Sequence, residues 1–168
     1  YSLHLRDTAQ HVAGLIYAGG AFGAVFAGDL ITLFIHWAVI AIASVFLIWS
    51  SQTEHAYRAG FRYLIIQIGS GVLLLAGILV HYQQTGSLAF GQLGLDAPGG
   101  TLIFLAFGIK AAFPLLHSWL PDAYPEATPT GAVLLSAFTT KVAIFALARS
   151  FPGTEILVPI GTIMTAFP

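Results

Sequence analysis

Apolar residues in this chain do not alternate with polar ones, nor recur every third or fourth position. They come in runs of about twenty, the length a helix needs to cross a hydrocarbon core of about 30 Å. The runs predict spans over about His11–Gly28, Leu30–Ser50, Phe61–Tyr82, Thr101–Leu120 and Thr130–Ser150, and residues 156–168 open a further one. The expected fold is all-α: a polytopic transmembrane helix bundle forming a single membrane domain over residues 1–168. Asp29 is the only charge between the first two spans, which must form a hairpin. The third span is entered through a polar stretch with Glu54, His55, Arg58 and Arg62, and is followed by a Gly-rich polar loop, Gln83–Gly100, expected outside the membrane. The fourth run is interrupted by Pro114.

Composition supports a bilayer as the solvent. Of the 168 residues 57% are hydrophobic and 8% charged, against about 25% charged in a soluble domain. A net charge of -1 without a basic run offers no nucleic-acid footprint. The absence of cysteine removes disulfides, thiolate metal sites and cysteine-ligated clusters from consideration, and no other cofactor or metal site is predicted. The chain begins at Tyr1 without an initiator Met or signal-like region and ends at Pro168 within an apolar run, so it reads as a piece of a longer protein. Alternating the spans gathers Arg6, Arg58 and Arg62 on one side and leaves Arg149 on the other, which puts the start of the chain in the cytoplasm. Gly19, Gly23 and Ala27, four residues apart, would let the first span approach a neighbour closely or serve ordinary packing.

The chemistry concentrates on two lysines, Lys110 and Lys141, each inside an apolar run. A lysine at the centre of a membrane helix costs about 2.5 to 3.5 kcal/mol, so both require internal partners or a hydrated cavity. Removal from water disfavours the charged amine and suits it to proton exchange; the alternative role is a paired charge that fixes helix packing. Pro114 lacks an N–H, and its ring opposes the carbonyl four residues earlier, that of Lys110, so the helix is expected to break near 110–114. Broken helices occur at membrane depth where they line a cavity or are buried in protein. Beyond it, Pro121, Pro125 and Pro129 prevent a long regular helix, and Asp122 and Glu126 bring carboxylates toward the surface. His117 is either a proton branch toward the cytoplasmic side or a satisfied interfacial histidine. His36, Gln67 and Ser136 are read as helix–helix hydrogen-bonding groups, and His81 as interfacial.

The stretch GIKAAFPLLHSWLPDAYPEATPTGAVLLSAFTTKVAIFALARSFPGTE, Gly108–Glu155, closely resembles the D-type subunit of multisubunit Mrp cation/proton antiporters, a family that shares its antiporter-like subunits with respiratory complex I and membrane-bound hydrogenases. Gly28–Ser50, GDLITLFIHWAVIAIASVFLIWS, fits the same family. The resemblance implies a full-length protein of about fourteen helices with two inverted five-helix repeats. This chain would then supply helices four to eight, Lys110 lying in a discontinuous helix seven (here the fourth span) and Lys141 in helix eight. It also implies a helix-five motif F-x-x-W-E whose glutamate pairs with the helix-seven lysine. Phe34 and Trp37 match, but Ala38 stands where the glutamate belongs. Asp29 is nine residues away, and His36 points about 200° around the helix from position 38. The protonated form of Lys110 thus loses its expected stabilising partner.

The expected function is that of a proton-translocating subunit of a monovalent cation (Na⁺)/proton antiporter in the inner (plasma) membrane, with Lys110, Lys141 and His117 as proton relay. The expected partners are lipid, protons, Na⁺ and sister subunits, and no reaction is catalysed by the chain itself. The alternatives are a proton-pumping subunit of a complex I-like or hydrogenase-type redox complex and a transport-inactive scaffold, for which Ala38 is the argument.

Overall fold

A computed structural model describes residues 7–166; Arg6, one of the three arginines used for orientation, and the last two residues of the final apolar run lie outside the described residues. Helix starts follow the side chains that can satisfy free N–H groups. Asp7 opens α1 (Thr8–Phe26) by accepting from the Ala9 and Gln10 N–H groups. Asp29 opens α2 (Leu30–Trp49), accepting from the Thr32 N–H at 2.8 Å and its hydroxyl at 2.7 Å, which holds its carboxyl below the usual range. Thr53 caps α3 (Glu54–Thr85), and Thr128 followed by Pro129 opens α6 (Pro129–Ser150). Between them lie α4 (Gly100–Ala111) and the short α5 (Trp119–Ala123), and α7 (Leu157–Ala166) follows.

Among the described residues the architecture is all-helical, with one isolated bridge between Asp29 and Ala89 and no strand. Helices α1, α2, α3 and α6 are long and apolar enough to cross a membrane. The fourth run behaves differently: α4 has 12 residues, about 18 Å, and the remaining depth is taken by turns and α5. Helix α3 starts seven residues before the apolar run that predicted it. Apolar content marks what lipid or protein covers, whereas the polar first two turns are held by the Thr53 cap and an exposed Glu54–Arg58 pair at 2.9 Å.

Helices α1 and α2 form the expected hairpin, and α3 packs against both α2 and α4 while α6 closes on α1, α2 and α4. The close approach of α1 uses Gly23 of the expected stripe, but with Gly20 in place of Gly19. Gly20 faces Val39 and Ile40, and the His36 ring occupies the space where a Cβ on Gly23 would stand, whereas Gly19 has no neighbour within 4 Å. The interior is aromatic, with Tyr17, Trp37, Tyr63, Phe107, Trp119 and Phe151 fully or almost fully buried. Large apolar side chains such as Leu15, Phe26 and Phe61 cover the outside, the distribution expected when the surroundings are themselves apolar.

The polar loop after α3 folds back over one end of the bundle. Its backbone bonds Leu30 through Leu88, Gly28 through Phe90 and the Ser150 carbonyl through Leu93 and Gly94. Arg149 locks this cap, donating to the Ala27 carbonyl at 3.0 Å and lying over the Phe90 ring. His81 is buried beneath the loop with Nδ1 3.2 Å from the Pro98 carbonyl. At its end Gly99 has φ +72°, and a Cβ there would collide with the Gly77 carbonyl oxygen of α3. Gly99→Ala is expected to destabilise the protein by about 2–4 kcal/mol, through both the left-handed backbone and the clash. A drop in the thermal midpoint of the detergent-solubilised full-length complex checks it.

Candidate functional site: a buried lysine beneath a broken helix

Lys110 occupies the last turn of α4 and is completely buried. Its Nζ donates to the Trp37 carbonyl at 3.2 Å and lies 4.5 Å from the centre of the Trp37 ring, a cation–π position. The accepting carbonyl belongs to the peptide that joins Trp37 to the half-buried Ala38. Among the described residues no carboxylate pairs with Lys110; the two ion pairs are Arg58–Glu54 and Arg62–Asp122, both at the end of the bundle where α3 begins. Trp37 is fixed in turn. Its indole N–H donates to Ser70 Oγ at 3.0 Å, Ser70 donates to the Ala106 carbonyl at 2.8 Å, and Phe107 packs 5.1 Å from the Trp37 ring. The chain Trp37–Ser70–Ala106 ties α2, α3 and α4 together next to the lysine.

The end of α4 is closed by the backbone itself. Ala112 takes the left-handed conformation at φ +62°, its N–H reaches the Ile109 carbonyl at 3.2 Å, and the Phe113 N–H reaches the Gly108 carbonyl at 2.9 Å. This paired pattern is a Schellman closure, normally built on glycine. Phe113 folds back over Gly108, where a Cβ would stand 2.5 Å from its ring. Pro114 follows at once and prevents any return to helix. The Trp119 indole donates to the Ile109 carbonyl at 3.0 Å, so a freed helix-end carbonyl is satisfied inside the protein.

The remaining sequence-predicted residues do not converge on Lys110. Lys141 is exposed on α6 and lines an apolar hollow of about 140 Å³ with Phe22, Val25 and Phe138, without a hydrogen bond or ion pair among the described residues. His117 is exposed in the turn after Pro114, with no side-chain partner among the described residues. His36 bonds its own helix, through Nδ1 to the Thr32 carbonyl at 2.8 Å, and Ser136 is exposed. Among the described residues no group of His, Asp and Glu side chains is arranged to hold a metal ion.

The structure departs from the sequence reading at Gln67, which was expected to bond between helices, and adds a cluster that the reading missed. Gln67 is completely buried, and neither its Oε1 nor its Nε2 has a hydrogen-bond partner among the described residues. A cluster of hydroxyls lies one turn nearer the start of α3. Ser44 and Tyr63 bond at 2.8 Å, Tyr17 bonds Thr139, and Tyr124 donates to the Leu135 carbonyl at 3.0 Å. The Thr139 side chain lies near the Tyr63 and Tyr124 hydroxyls. The only sequence signal was the spacing of Tyr63, Gln67 and Ser70, which puts all three on one helical face. Nearby, exposed Arg62 makes a bidentate contact with Asp122 at 2.6 and 2.8 Å, which ties α5 to α3 and holds the Asp122 carboxyl below the usual range.

The family described as NADH:quinone oxidoreductase/Mrp antiporter, TM, matches residues 27–166. The chain belongs to this family. Among relatives, the D subunit of the Na⁺/H⁺ antiporter of Bacillus subtilis is 32% identical over 157 residues, covering 87% of this chain and 32% of the relative. The N subunit of the NADH-quinone oxidoreductase of Deinococcus radiodurans is 30% identical over 159 residues, covering 86% and 32%. Of solved structures, the Mrp complex from Dietzia sp. DQ12-45-1b superposes with a TM-score of 0.75 at 26% identity, over 86% of this chain and 30% of that one. An archaeal membrane-bound sulfane sulfur reductase gives 0.80 at 27% identity, over 91% and 35%. The chain spans about a third of the length of these relatives. It is therefore a multi-pass membrane chain of the antiporter-subunit type, as the Gly108–Glu155 stretch led us to expect.

The α4 closure carries a prediction that runs against ordinary helix propensity. Ala112→Gly is expected to stabilise the protein by about 1 kcal/mol, because glycine removes the cost of a left-handed alanine. A rise in the thermal midpoint of the solubilised full-length complex checks it.

Proposed function

We propose that this chain is the proton-carrying part of a membrane subunit of a multisubunit Na⁺/H⁺ antiporter of the plasma membrane, with Lys110 as the group that binds and releases the proton. The observation that carries the reading is the fully buried Lys110 amine, held by a neutral carbonyl and an aromatic face instead of a carboxylate. An amine with only neutral partners gains little from remaining charged in an apolar interior, so it is suited to giving up its proton. The 12-residue α4 supports the same reading, since a helix that stops at membrane depth leaves the lysine at its end instead of midway along a continuous wall. Lys141, turned outward on α6, acts as the next proton carrier toward the rest of the full-length subunit, and the uncovered apolar surfaces are met by lipid and sister subunits.

The similarity to a subunit of an NADH-quinone oxidoreductase and to a sulfane sulfur reductase favours one second reading, an ion-pumping subunit whose energy comes from electron transfer elsewhere in a complex. Both readings use Lys110 in the same way and differ in the partner subunits, which purification of the intact complex identifies.

In everted vesicles containing the full-length complex, Lys110→Ala is expected to lower proton-coupled transport by about a hundredfold or more, the loss of a positioned proton carrier. Transport at the wild-type rate would overturn the proposal and leave a scaffold. Ala38→Glu restores a carboxylate beside the carbonyl that Lys110 now uses; it is expected to move the pH dependence of transport upward by about one unit or more. An unchanged pH profile would show that position 38 does not reach the lysine.

A further inference from the structure

Lys110 needs a route to water, and the residue expected to provide one, His117, is exposed and makes no hydrogen bond to it. The interior provides another. Helices α3 and α4 run antiparallel, as the contacts of Gly77 with Ile103 and of Ser70 with Ala106 establish. One turn from Ser70 toward the start of α3 lies Gln67, and one turn from Ala106 in the same direction lies Lys110, so the two share a level in the bundle. One turn further is Tyr63, fully buried and bonded to Ser44 of α2. Thr139 of α6, also fully buried, bonds Tyr17 of α1 and lies near the Tyr63 and Tyr124 hydroxyls; Tyr124 is only partly buried and follows α5 beside the exposed Arg62–Asp122 pair.

We propose that the Gln67 amide and the hydroxyls of Tyr63, Ser44, Thr139, Tyr17 and Tyr124 form a proton relay between Lys110 and the Arg62 end of the bundle, with water held by Gln67 as its first link. The water assignment rests on the amide, whose donor and acceptor are both buried and both lack a protein partner; such groups bind ordered water where the protein does not satisfy them. In the transfer, the N–H bond of the Lys110 ammonium breaks as an O–H bond forms on the water. That water passes a different proton to the Tyr63 oxygen, and Tyr63 releases its own hydroxyl proton to Thr139, while Ser44 holds the Tyr63 hydroxyl in place. Thr139 repeats the exchange with Tyr124, and Tyr124 delivers a proton to solvent. Each hydroxyl gains one proton and loses one, so none is left ionised, and rotation of the O–H groups resets the chain. Tyr17 accepts or donates at Thr139 and holds its hydroxyl in line.

The inference rests on the reading of Lys110 as a proton carrier, and the test separates the two. Proton-coupled transport is measured in everted vesicles with the full-length complex, normalised to assembled complex by immunoblot. Tyr63→Phe and Thr139→Val, which remove hydroxyls at nearly constant volume, are each expected to slow transport about tenfold, and Thr139→Ser to restore it. Gln67→Leu is expected to act like the first two. A merely structural role would reduce assembled complex without lowering the normalised rate, and this overturns the relay. Should Tyr63→Phe prevent assembly, the comparison of Thr139→Val with Thr139→Ser decides: equal normalised rates overturn the relay. Wild-type rates in the hydroxyl variants together with a lost rate in Lys110→Ala overturn the relay and leave the function of Lys110 standing. A wild-type rate in Lys110→Ala itself removes the reading on which the relay rests.

Discussion

A helix that stops inside an apolar layer needs its last carbonyls satisfied by protein, and at the end of α4 the Gly108 and Ile109 carbonyls, next to Lys110, are satisfied in this way. The closure at Ala112 and Phe113 takes up the Gly108 and Ile109 carbonyls, and Trp119 reaches back to Ile109. Pro114 makes the stop irreversible, because neither its missing N–H nor its ring permits another turn. The geometry of the site follows from this ending. Lys110 falls in the last turn of a 12-residue helix, where its amine reaches across to the Trp37 carbonyl on α2.

Much of the surrounding structure holds that arrangement in place. Ser70 joins the Trp37 indole to the α4 backbone, and the loop from Gly86 to Gly99 clamps the opposite end of the bundle through Phe90 and Arg149. Close contact between α3 and the start of α4 at Gly77 and Gly99 leaves no room for a side chain. The protein thus combines rigid backbone packing at one end with a hydroxyl-rich interior at the other. Hydroxyls can exchange partners by rotating, whereas a carboxylate beside the lysine would fix one charged pair; with Ala at position 38 the site depends on neutral groups.

The sequence by itself determined that this is a helical membrane chain, because runs of about twenty apolar residues have no other stable state in a bilayer. It also located the break before Pro114, since the effect of proline on the helix is local, and the family, since Gly108–Glu155 is long and distinctive. Tertiary structure decided what was not local. Lys110 and Lys141 looked equivalent as lysines within apolar runs, yet packing buries the first and turns the second outward, because burial depends on which face of each helix meets a neighbour. The close approach of α1 fell on Gly23 of the predicted stripe but on Gly20 instead of Gly19, for the same reason. Tyr17, Ser44, Tyr63 and Thr139 lie far apart in sequence on four helices, and each alone resembles an ordinary packing residue. Only the bundle brings their hydroxyls together, because a hydrogen bond needs atoms about 3 Å apart, and separations across helices are set by packing and not by sequence spacing.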